Sequence, residues 1–414
     1  MVITTAPKGT KDLIPQDSYK WHYVEKLFAE TCREFNFKET RVPTFEYTEL
    51  FERGVGDTTD VVEKQMYTFN DKANRSITLR PEGTASVVRS FLQNNLYAEA
   101  MPCKMYYNIP CFRYEQTQHG RLREFHQFGT EVFGAAQPTA DAEVISLALT
   151  FLDRAGLKDL TVHINSIGCK TCRKKYNDAL RDYFRPKFNE LCGTCQSRFE
   201  RNPLRILDCK SPICQELGKD APKLLDYICD ECRSHFEKFM AALDGMGIEY
   251  TIDQGIVRGL DYYSKTVFEI ISGGMTVCGG GRYDGLVEEL GGDPTPAVGF
   301  GLGIERLLLR LDETGFVIPE ENPVDLYIVP LGDNANVYAM KLAYTLRQNG
   351  ISVETDHVGR GLRAQMKYAN KLKVRYTLVL GDNEIEAGKA NLKHMDSGEQ
   401  TETELDKLTE FFTK

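Results

Sequence analysis

Two neighbouring stretches of the sequence decide the fold: CFRYE at residues 111–115 and REFHQFGTEVF at residues 123–133. Both alternate between two kinds of position, which is typical of strands with one buried face. With their flanks they predict strands at 104–115 and 123–133, joined by the polar loop Gln116–Leu122, which contains Gly120. A hairpin of this kind pairs antiparallel strands, so the sequence predicts a mostly antiparallel sheet.

One face of this hairpin carries a mixture of side chains that is unusual for a protein core. Alternate positions of a strand share a face. That face combines Cys111, Arg113, Glu115, Arg123, Phe125, Gln127, Gly129, Glu131 and Phe133. Arginine suits phosphate and a phenyl ring suits stacking, so the mixture favours a site for an anionic, planar ligand. The alternative is the ordinary solvated face of an antiparallel sheet. Phe128 and Val132 point the other way, into the expected core.

Upstream of the hairpin, the sequence predicts a helix over 16–37, short strands around Pro43 and at 76–80, and a helix from Thr84. Glu82 precedes that last helix and can be interpreted in two ways. Its carboxylate and the Thr84 hydroxyl are spaced to hold an ammonium group together. They also suit the first turn of a helix, and taken alone these residues favour that simpler interpretation.

Downstream of the hairpin, glycine-rich segments mark further strands. GGG at 279–281 predicts a hairpin, and GFGLG at 299–303 leads into an apolar helix over 304–311. Alternate glycines in a strand let a flat ligand approach the backbone. The last glycine run does not suit a dinucleotide-binding motif, because its second gap is one residue too short and the sheet around it is antiparallel.

Cysteine spacing sets residues 169–250 apart. Eight of the twelve cysteines form three Cys-x₂-Cys pairs and one Cys-x₄-Cys pair: Cys169 and Cys172, Cys192 and Cys195, Cys209 and Cys214, Cys229 and Cys232. Such spacing predicts structural zinc, whereas reduced thiols that only fill space are the alternative. How the four pairs combine cannot be read from the sequence.

The C-terminal part alternates helix and strand, which predicts a small α/β domain. Its most distinctive feature is a basic run with no acidic residue. If 360–371 is helical, one face carries Arg360, Arg363, Lys367 and Lys371. A solvated helix face is the ordinary interpretation of such a charge run.

Length and composition bound the function. The 414 residues allow two to four domains, and 42% hydrophobic with 27% charged residues describe an ordinary globular chain rather than a disordered one. No apolar run reaches the length of a bilayer span, and the polar N-terminus does not look like a signal peptide; we therefore expect a cytoplasmic protein with no membrane partner. A net charge of −9 means that any nucleic acid must meet a local basic patch.

Five segments, in order, resemble a known family. FRYE at 112–115 with REF at 123–125 resembles motif 2 of the class II aminoacyl-tRNA synthetases, GLGIER at 301–306 resembles motif 3, and Pro43 with its flanks resembles motif 1. RGLDYY at 258–263 and GGRYDG at 280–285 are similar to the two histidine-specific segments of the histidyl members. The resemblance runs from KGTKD at 8–12 to the C-terminal domain.

The resemblance implies a fold and its domains. The expected fold is an α+β catalytic domain built on a mostly antiparallel sheet, with a Cys-rich, mainly helical insertion and a small C-terminal α/β domain. We expect the catalytic core at 1–168 and 251–317, the insertion at 169–250 and an anticodon-binding domain at 324–414.

The resemblance also implies roles for individual residues. Arg113 and Arg258 would contact the α-phosphate of ATP, Arg306 the γ-phosphate; Phe125 and Arg306 would sandwich adenine, with Glu115 near its amino group. Histidine would be held by Glu82, Thr84, Gln127, Glu131, Tyr262, Tyr263 and Tyr283. One departure concerns the motif 2 loop, where Gln116-Thr117 replaces the Arg-Pro common in the family, so the residues that meet the tRNA acceptor end are not assigned.

The implied activity is that of a histidine–tRNA ligase that forms histidyl-adenylate from L-histidine and ATP, with Mg²⁺, and transfers the histidyl group to tRNA(His). The resemblance implies a homodimer built around motif 1, and it raises RNA contact above the solvated interpretation for Arg360, Arg363, Lys367 and Lys371. A non-catalytic relative, a regulatory subunit of histidine biosynthesis, is the alternative. Such relatives typically lack the C-terminal domain and the ATP-binding arginines, both of which this chain has.

Overall fold

The structure, a computed structural model, describes residues 4–56, 59–256, 259–320 and 324–413. These residues belong to two units, Met1–Ile318 and Pro319–Lys414. The strands of the first unit are β1 (Lys38–Glu39), β2 (Phe45–Tyr47), β3 (Tyr67–Asn70), β4 (Ser76–Leu79), β5 (Cys103–Phe112), β6 (Glu124–Phe133), β7 (Leu160–Ser166), β8 (Thr251–Ile252), β9 (Ser264–Ser272), β10 (Met275–Arg282) and β11 (Ala297–Gly303). Its helices are α1 (Pro15–Glu34), α2 (Thr48–Val55), α3 (Thr84–Gln93), α4 (Pro138–Ala155), α5 (Lys170–Phe184), α6 (Gly193–Arg201), α7 (Pro212–Gly218), α8 (Asp230–Gly245), α9 (Leu286–Glu289) and α10 (Ile304–Thr314).

An eight-stranded sheet forms the centre of the first unit, in the order β1-β5-β6-β11-β10-β9-β7-β8. The outer pairs β1–β5 and β7–β8 are parallel, and the other neighbours are antiparallel. The predicted hairpin is β5–β6, and the mostly antiparallel α+β class is confirmed. The first strand is shorter than predicted: β5 ends at Phe112, because the Tyr114 N–H donates to the Gln65 carbonyl at 2.7 Å and turns the chain away from β6.

The two faces of β6 have different surroundings, one in the hydrophobic core and one in the candidate site. Phe128 and Val132 are fully buried beneath α1 and α4, and the Phe128 ring stacks on Phe28 with centroids 4.4 Å apart. Burying a phenylalanine contributes about 1.5–3 kcal/mol, so this face fixes the register of the strand. The same register then holds Gln127 and Glu131 on the opposite face, which is the candidate site.

Two smaller features flank the large sheet. A three-stranded sheet in the order β2-β4-β3 leaves three aromatic side chains, those of Phe45, Tyr47 and Phe69, about half exposed. The helices α5 to α8 lie between β7 and β8 in the chain, which agrees with a mainly helical segment at 169–250. They carry buried apolar residues that belong to the same core as the candidate site.

The second unit has a five-stranded sheet in the order β13-β12-β14-β15-β16. Its strands are β12 (Leu326–Pro330), β13 (Val353–Thr355), β14 (Tyr376–Leu380), β15 (Lys389–His394) and β16 (Gln400–Glu404), and its helices are α11 (Asp333–Gln348), α12 (Leu362–Lys371), α13 (Asp382–Ala387) and α14 (Leu408–Thr413). β12 pairs in parallel with β13 and β14, as expected of an α/β domain, whereas β15 and β16 continue the sheet antiparallel. Across the described ranges of both units, we find no helix with the length and apolar content needed to cross a bilayer.

Candidate active site

A cavity of about 400 Å³ opens on the polar face of the large sheet, where residues of β6, β9, β10 and β11 line it. It collects side chains that are far apart in the sequence but were all expected at the site: Glu82, Thr84, Arg113, Glu115, Phe125, Gln127, Tyr262, Tyr263 and Arg306. Glu131 and Tyr283 are each 1% exposed and lie behind this wall rather than in it. Arg258 lies outside the described residues.

The alternate glycines of β11 make room for side chains of β6. A Cβ on Gly299 would lie 2.0 Å from Oε2 of Glu131, and a Cβ on Gly301 would lie 2.2 Å from Nε2 of Gln127. Real Cβ atoms do not approach other atoms so closely, so any larger residue would displace these polar side chains. The glycines were expected to admit a ligand to the backbone; in this structure they admit the neighbouring strand's polar side chains.

Glu131 is the centre of a buried hydroxyl cluster, here called the Glu131 cluster (Glu131, Thr84, Tyr107 and Tyr283). The Thr84 hydroxyl donates to Oε1 at 2.7 Å and the Tyr107 hydroxyl donates to the same oxygen at 3.2 Å. The Tyr283 hydroxyl donates to Oε2. Burial raises the pKa of Glu131 to about 8, against the lowering effect of these hydroxyl donors.

Tyr107 is a site residue that the sequence analysis missed. It stands on β5 opposite Gly129, on the face that also carries Ile109 and Cys111, and it is 1% exposed. Two glycines admit its ring, since a Cβ on Gly83 or on Gly129 would lie 2.5 or 2.1 Å from ring atoms. The period-two pattern of the predicted strand extends to residue 107, so alternation was the signal that could have found it.

Glu82 has two kinds of surroundings, the start of α3 and the cavity. Its carboxylate accepts the backbone N–H groups of Thr84 and Ala85 at 2.7 and 2.8 Å, as a group at the start of α3 should. It also lines the cavity and accepts the Tyr262 hydroxyl at 3.5 Å. Burial raises its pKa, although the two N–H donors oppose this. Each carboxylate oxygen has two lone pairs, so capping leaves room for a further donor.

The other end of the cavity is basic and aromatic. Arg113 donates from Nε to the Pro81 carbonyl at 2.7 Å, and its guanidinium lies 5.3 Å from the centre of the Phe125 ring. Arg306 donates to two carbonyl oxygens, those of Gly120 and Thr276, both at 3.2 Å. Burial is the main cause that lowers the pKa of Arg306, helped by the positive charges of Arg121 and Arg113. Clustered arginines in a partly buried site favour a multiply charged anion.

The eight cysteines of the insertion form two groups of four, each with sulfur atoms within 4.8 Å of one another. The outer cluster is Cys169, Cys172, Cys229 and Cys232, and the inner cluster is Cys192, Cys195, Cys209 and Cys214. Measured Sγ–Sγ distances are 3.5 Å for Cys169–Cys172, 3.9 Å for Cys172–Cys232 and 3.7 Å for Cys192–Cys209. Four sulfurs about 2.3 Å from a tetrahedral ion lie about 3.8 Å apart, so both clusters fit zinc. The Cys195 N–H is the main cause that lowers the pKa of Cys192 to about 7.

The basic run of the second unit differs from its prediction at one position. Arg363, Lys367 and Lys371 are exposed on α12, and together they are called the basic face below. Arg360 is not on this helix, so its placement on the same face is wrong. It precedes α12, pairs with Asp356 at 2.7 Å and lies over the Tyr368 ring, because the nearby carboxylate competes for its guanidinium.

Comparisons with known proteins agree with this geometry. A family model described as "Histidyl-tRNA synthetase" matches residues 9–172 and 211–307, and one described as "Anticodon binding domain" matches 325–414. Residues 173–210, which contain part of the insertion, lie between the matched ranges.

Individual relatives match over nearly the full length. The chain is 56% identical to a protein of Acetivibrio thermocellus named "Histidine--tRNA ligase", over 98% of this chain and 99% of the relative. It is 59% identical to a protein of the same name from Clostridium perfringens, over 97% of each chain. Among solved structures, it is similar to apo histidyl-tRNA synthetase of S. aureus, with a TM-score of 0.86 and 43% identity over 100% of both chains.

Proposed function

The chain belongs to the histidyl-tRNA synthetase family, and from this premise we propose how the residues of its cavity divide the work. The enzyme is an aminoacyl-tRNA synthetase that joins histidine to tRNA and consumes ATP. Its reaction has two steps: histidine and ATP form histidyl-adenylate and diphosphate, and the histidyl group then passes to the 3′ end of tRNA(His).

Histidine occupies the end of the cavity next to the Glu131 cluster. Glu82, Thr84 and Gln127 receive the ammonium group, because their oxygens converge at the start of α3. Glu131 lies behind this wall and receives an imidazole N–H after Thr84 or a tyrosine hydroxyl moves aside, while Tyr262, Tyr263 and Tyr283 enclose the ring. A pocket that pairs the ring nitrogens rejects amino acids without them by about 10⁴–10⁵, because buried polar groups would be left unpaired.

ATP occupies the basic end. Phe125 and Arg306 bind adenine, Glu115 meets its amino group, and Arg113 and Arg306 receive the α- and γ-phosphates. Arg258 belongs to the same set by sequence. Mg²⁺ would lie with the phosphates, held by the carboxylate oxygens that this ion prefers, those of Glu269 and Glu305 in the cavity.

The activation step needs no protein nucleophile. The histidine carboxylate attacks the α-phosphorus in line, the new P–O bond forms as the bond to diphosphate breaks, and negative charge builds on the α-phosphate oxygens. Arg113 lies at the junction of the two subsites, where its fixed charge stabilises that build-up at no cost of reorganisation.

Each of the two cysteine clusters would hold a structural zinc ion. Each offers four thiol ligands with sulfur spacing that suits a tetrahedral site, and neither lines the cavity. A closed Cys₄ site leaves no open position for substrate, so the metal stabilises the insertion and takes no part in the chemistry.

The tRNA and a second subunit occupy other surfaces. The basic face on α12 contacts RNA phosphates with three exposed cations, and the motif 2 loop meets the acceptor end.

The exposed aromatic side chains of β2 and β3 form part of a homodimer interface near Pro43, because exposed apolar patches of this kind mark interaction sites.

A single observation carries the assignment: one cavity unites the histidine-specific tyrosines with the arginines of motifs 2 and 3. The test is histidine-dependent ATP–diphosphate exchange, followed by charging of tRNA(His). Exchange that requires histidine and is not supported by other amino acids is expected. Well-folded protein without exchange would contradict the proposal and favour the regulatory relative.

A further inference from the structure

Three residues of the insertion contact Asp261, which precedes the cavity residues Tyr262 and Tyr263. Nη2 of Arg205 lies 3.1 Å from Oδ1 of Asp261, and Nδ2 of Asn202 lies 3.3 Å from the same oxygen. A third insertion residue, Arg173, donates from Nη1 to the Asp261 backbone carbonyl at 3.1 Å. The next two residues in the chain, Tyr262 and Tyr263, line the cavity.

Asp261 is also fixed from the side of α2. Its N–H donates to the Val55 carbonyl at 3.1 Å. Gly56 follows, with φ of +100°, and a Cβ there would lie 2.9 Å from the Asp261 side chain. Asp261 is therefore held between the end of α2 and the insertion, and its backbone sets where the tyrosines begin.

Arg205 is placed to matter more than an ordinary surface arginine. It is 7% exposed, so loss of Asp261 would leave the Arg205 charge buried, whereas the Asp261 side chain itself is 28% exposed. Arg201, four residues earlier in the chain, pairs with Glu63 instead and its side chain is 57% exposed. Exposed ion pairs of this kind contribute little to stability. Arg201 therefore serves as a matched control for Arg205.

Cysteines of the inner cluster lie on both sides of the segment that contains Asn202 and Arg205. Cys195, near the start of α6, and Cys209 stand at its two ends, and the rest of α6 and the turn Pro203–Ile206 lie between them. From the same segment, Arg198 pairs with Asp60 at 2.9 Å, beside the cavity residue Val61. A metal bound by the inner cluster would therefore fix both ends of the segment that contacts Asp261.

We propose that Arg205, supported by Asn202, is a positioning residue for histidine: through Asp261 it holds Tyr262 and Tyr263 in place, and the inner cysteine cluster fixes the segment that carries it. This inference rests on the proposed histidine subsite. It gives the Cys-rich insertion a part in amino-acid binding although none of the eight clustered cysteines lines the cavity.

The test compares Arg205→Met, Arg205→Lys and Arg201→Met in the full-length enzyme by histidine-dependent exchange. Arg205→Met should raise the KM for histidine about tenfold or more and leave the KM for ATP within about twofold, because a buried charge-assisted contact is lost on the histidine side only. Arg205→Lys keeps a charge and should recover part of the loss, and Arg201→Met should match the unaltered enzyme. Hydrogen exchange at 259–263 should accelerate in Arg205→Met.

Unchanged KM for histidine in Arg205→Met, with unchanged hydrogen exchange at 259–263, overturns the proposal. Absence of exchange activity in the unaltered enzyme would instead contradict the proposed function, so the two failures differ.

A second arm tests the cluster with Cys209→Ser. We expect one metal equivalent of two to be lost by elemental analysis, and the KM for histidine to rise in the same direction as in Arg205→Met. A normal KM for histidine in protein that has lost this metal overturns the role of the inner cluster.

Discussion

The Glu131 cluster and the basic face are both proposed to bind substrate, but they are constructed in opposite ways. Glu131 is 1% exposed, and three hydroxyl groups already donate to its two oxygens. Arg363, Lys367 and Lys371 are exposed on a single helix. The Glu131 cluster is buried and hydrogen-bonded before its ligand arrives. The basic face remains hydrated until its ligand arrives.

This difference teaches where single substitutions should matter. A buried polar group without a partner costs the full desolvation penalty, so the loss of one partner should weaken binding strongly. An exposed cation exchanges water and counterions for a phosphate, so its contribution is small, additive and dependent on salt. The predictions below test this contrast, from the largest expected effect to the smallest.

Arg113→Ala should cause the largest loss. Its charge is placed where negative charge develops, and removal of one such preorganised donor lowers turnover by about 10²–10³. The measurement is the rate of ATP–diphosphate exchange at saturating histidine and ATP. Circular dichroism and thermal unfolding should remain close to those of the unaltered enzyme. Exchange within threefold of normal would contradict the role of Arg113.

Glu131→Gln should affect histidine and spare ATP. The amide preserves the shape of the side chain but replaces one acceptor oxygen with an NH₂ donor, so the KM for histidine should rise about 10–100-fold. The KM for ATP in the same exchange assay is the internal control. An equal rise in both constants would show that the cluster supports the whole cavity rather than the histidine end.

Neutralising the basic face should change only the tRNA step. In the triple variant Arg363→Gln, Lys367→Gln and Lys371→Gln, affinity for tRNA should fall and the slope of log affinity against log salt should flatten by about 0.7–0.9 for each lost phosphate contact. Exchange without tRNA should not change. The control neutralises Lys373 and Arg375, which already pair with Glu320 and Asp325, and should have a smaller effect. Equal effects of the two variants would mean that the basic face is a solvated surface.

The pH dependence of stability, measured on the fold rather than on activity, should be a further signature of the buried cluster. Glu131 has a pKa of about 8 in the folded chain, well above its value of about 4.3 when unfolded. Between these values the folded chain retains a proton that the unfolded chain releases, so the stability due to this group falls as pH rises. The melting temperature of the unaltered enzyme relative to Glu131→Gln should therefore decrease from pH 5 to pH 8, without histidine present. A constant difference would contradict the raised pKa.

Sequence reasoning found the cavity because strand alternation determines which side chains share a face. The positions of Phe125, Gln127 and Glu131 followed from the pattern of β6, and burial of Phe128 on the opposite face fixed that register. Strand alternation could not predict which side chains of neighbouring strands contact each other. Periodicity cannot show that the Tyr107 ring would enter the space left by Gly83 and Gly129, since that fit depends on the register of β5 against β6.

The second unit shows a different limit. Its alternation of helix and strand was predicted, because an apolar run between polar turns, such as that of β14, is a local signal. The strands β15 and β16 were missed, since KANLKH and QTETE are polar and become strands only by pairing with each other and with β14. Arg360 was misplaced because helical spacing was extended past the helix start, where Asp356 competes for it.

The nesting of the two cysteine clusters has a consequence for the order in which the insertion folds. Cys192 and Cys209 of the inner cluster are 17 residues apart, whereas Cys172 and Cys229 in the outer cluster are 57 apart. Loop closure costs grow with the logarithm of length, so closing the inner loop first is favoured by about 1 kcal/mol, and its closure shortens the path that the outer cluster must span. Refolding from denaturant with limiting zinc should thus load the inner cluster first, and the insertion should assemble from its centre outward.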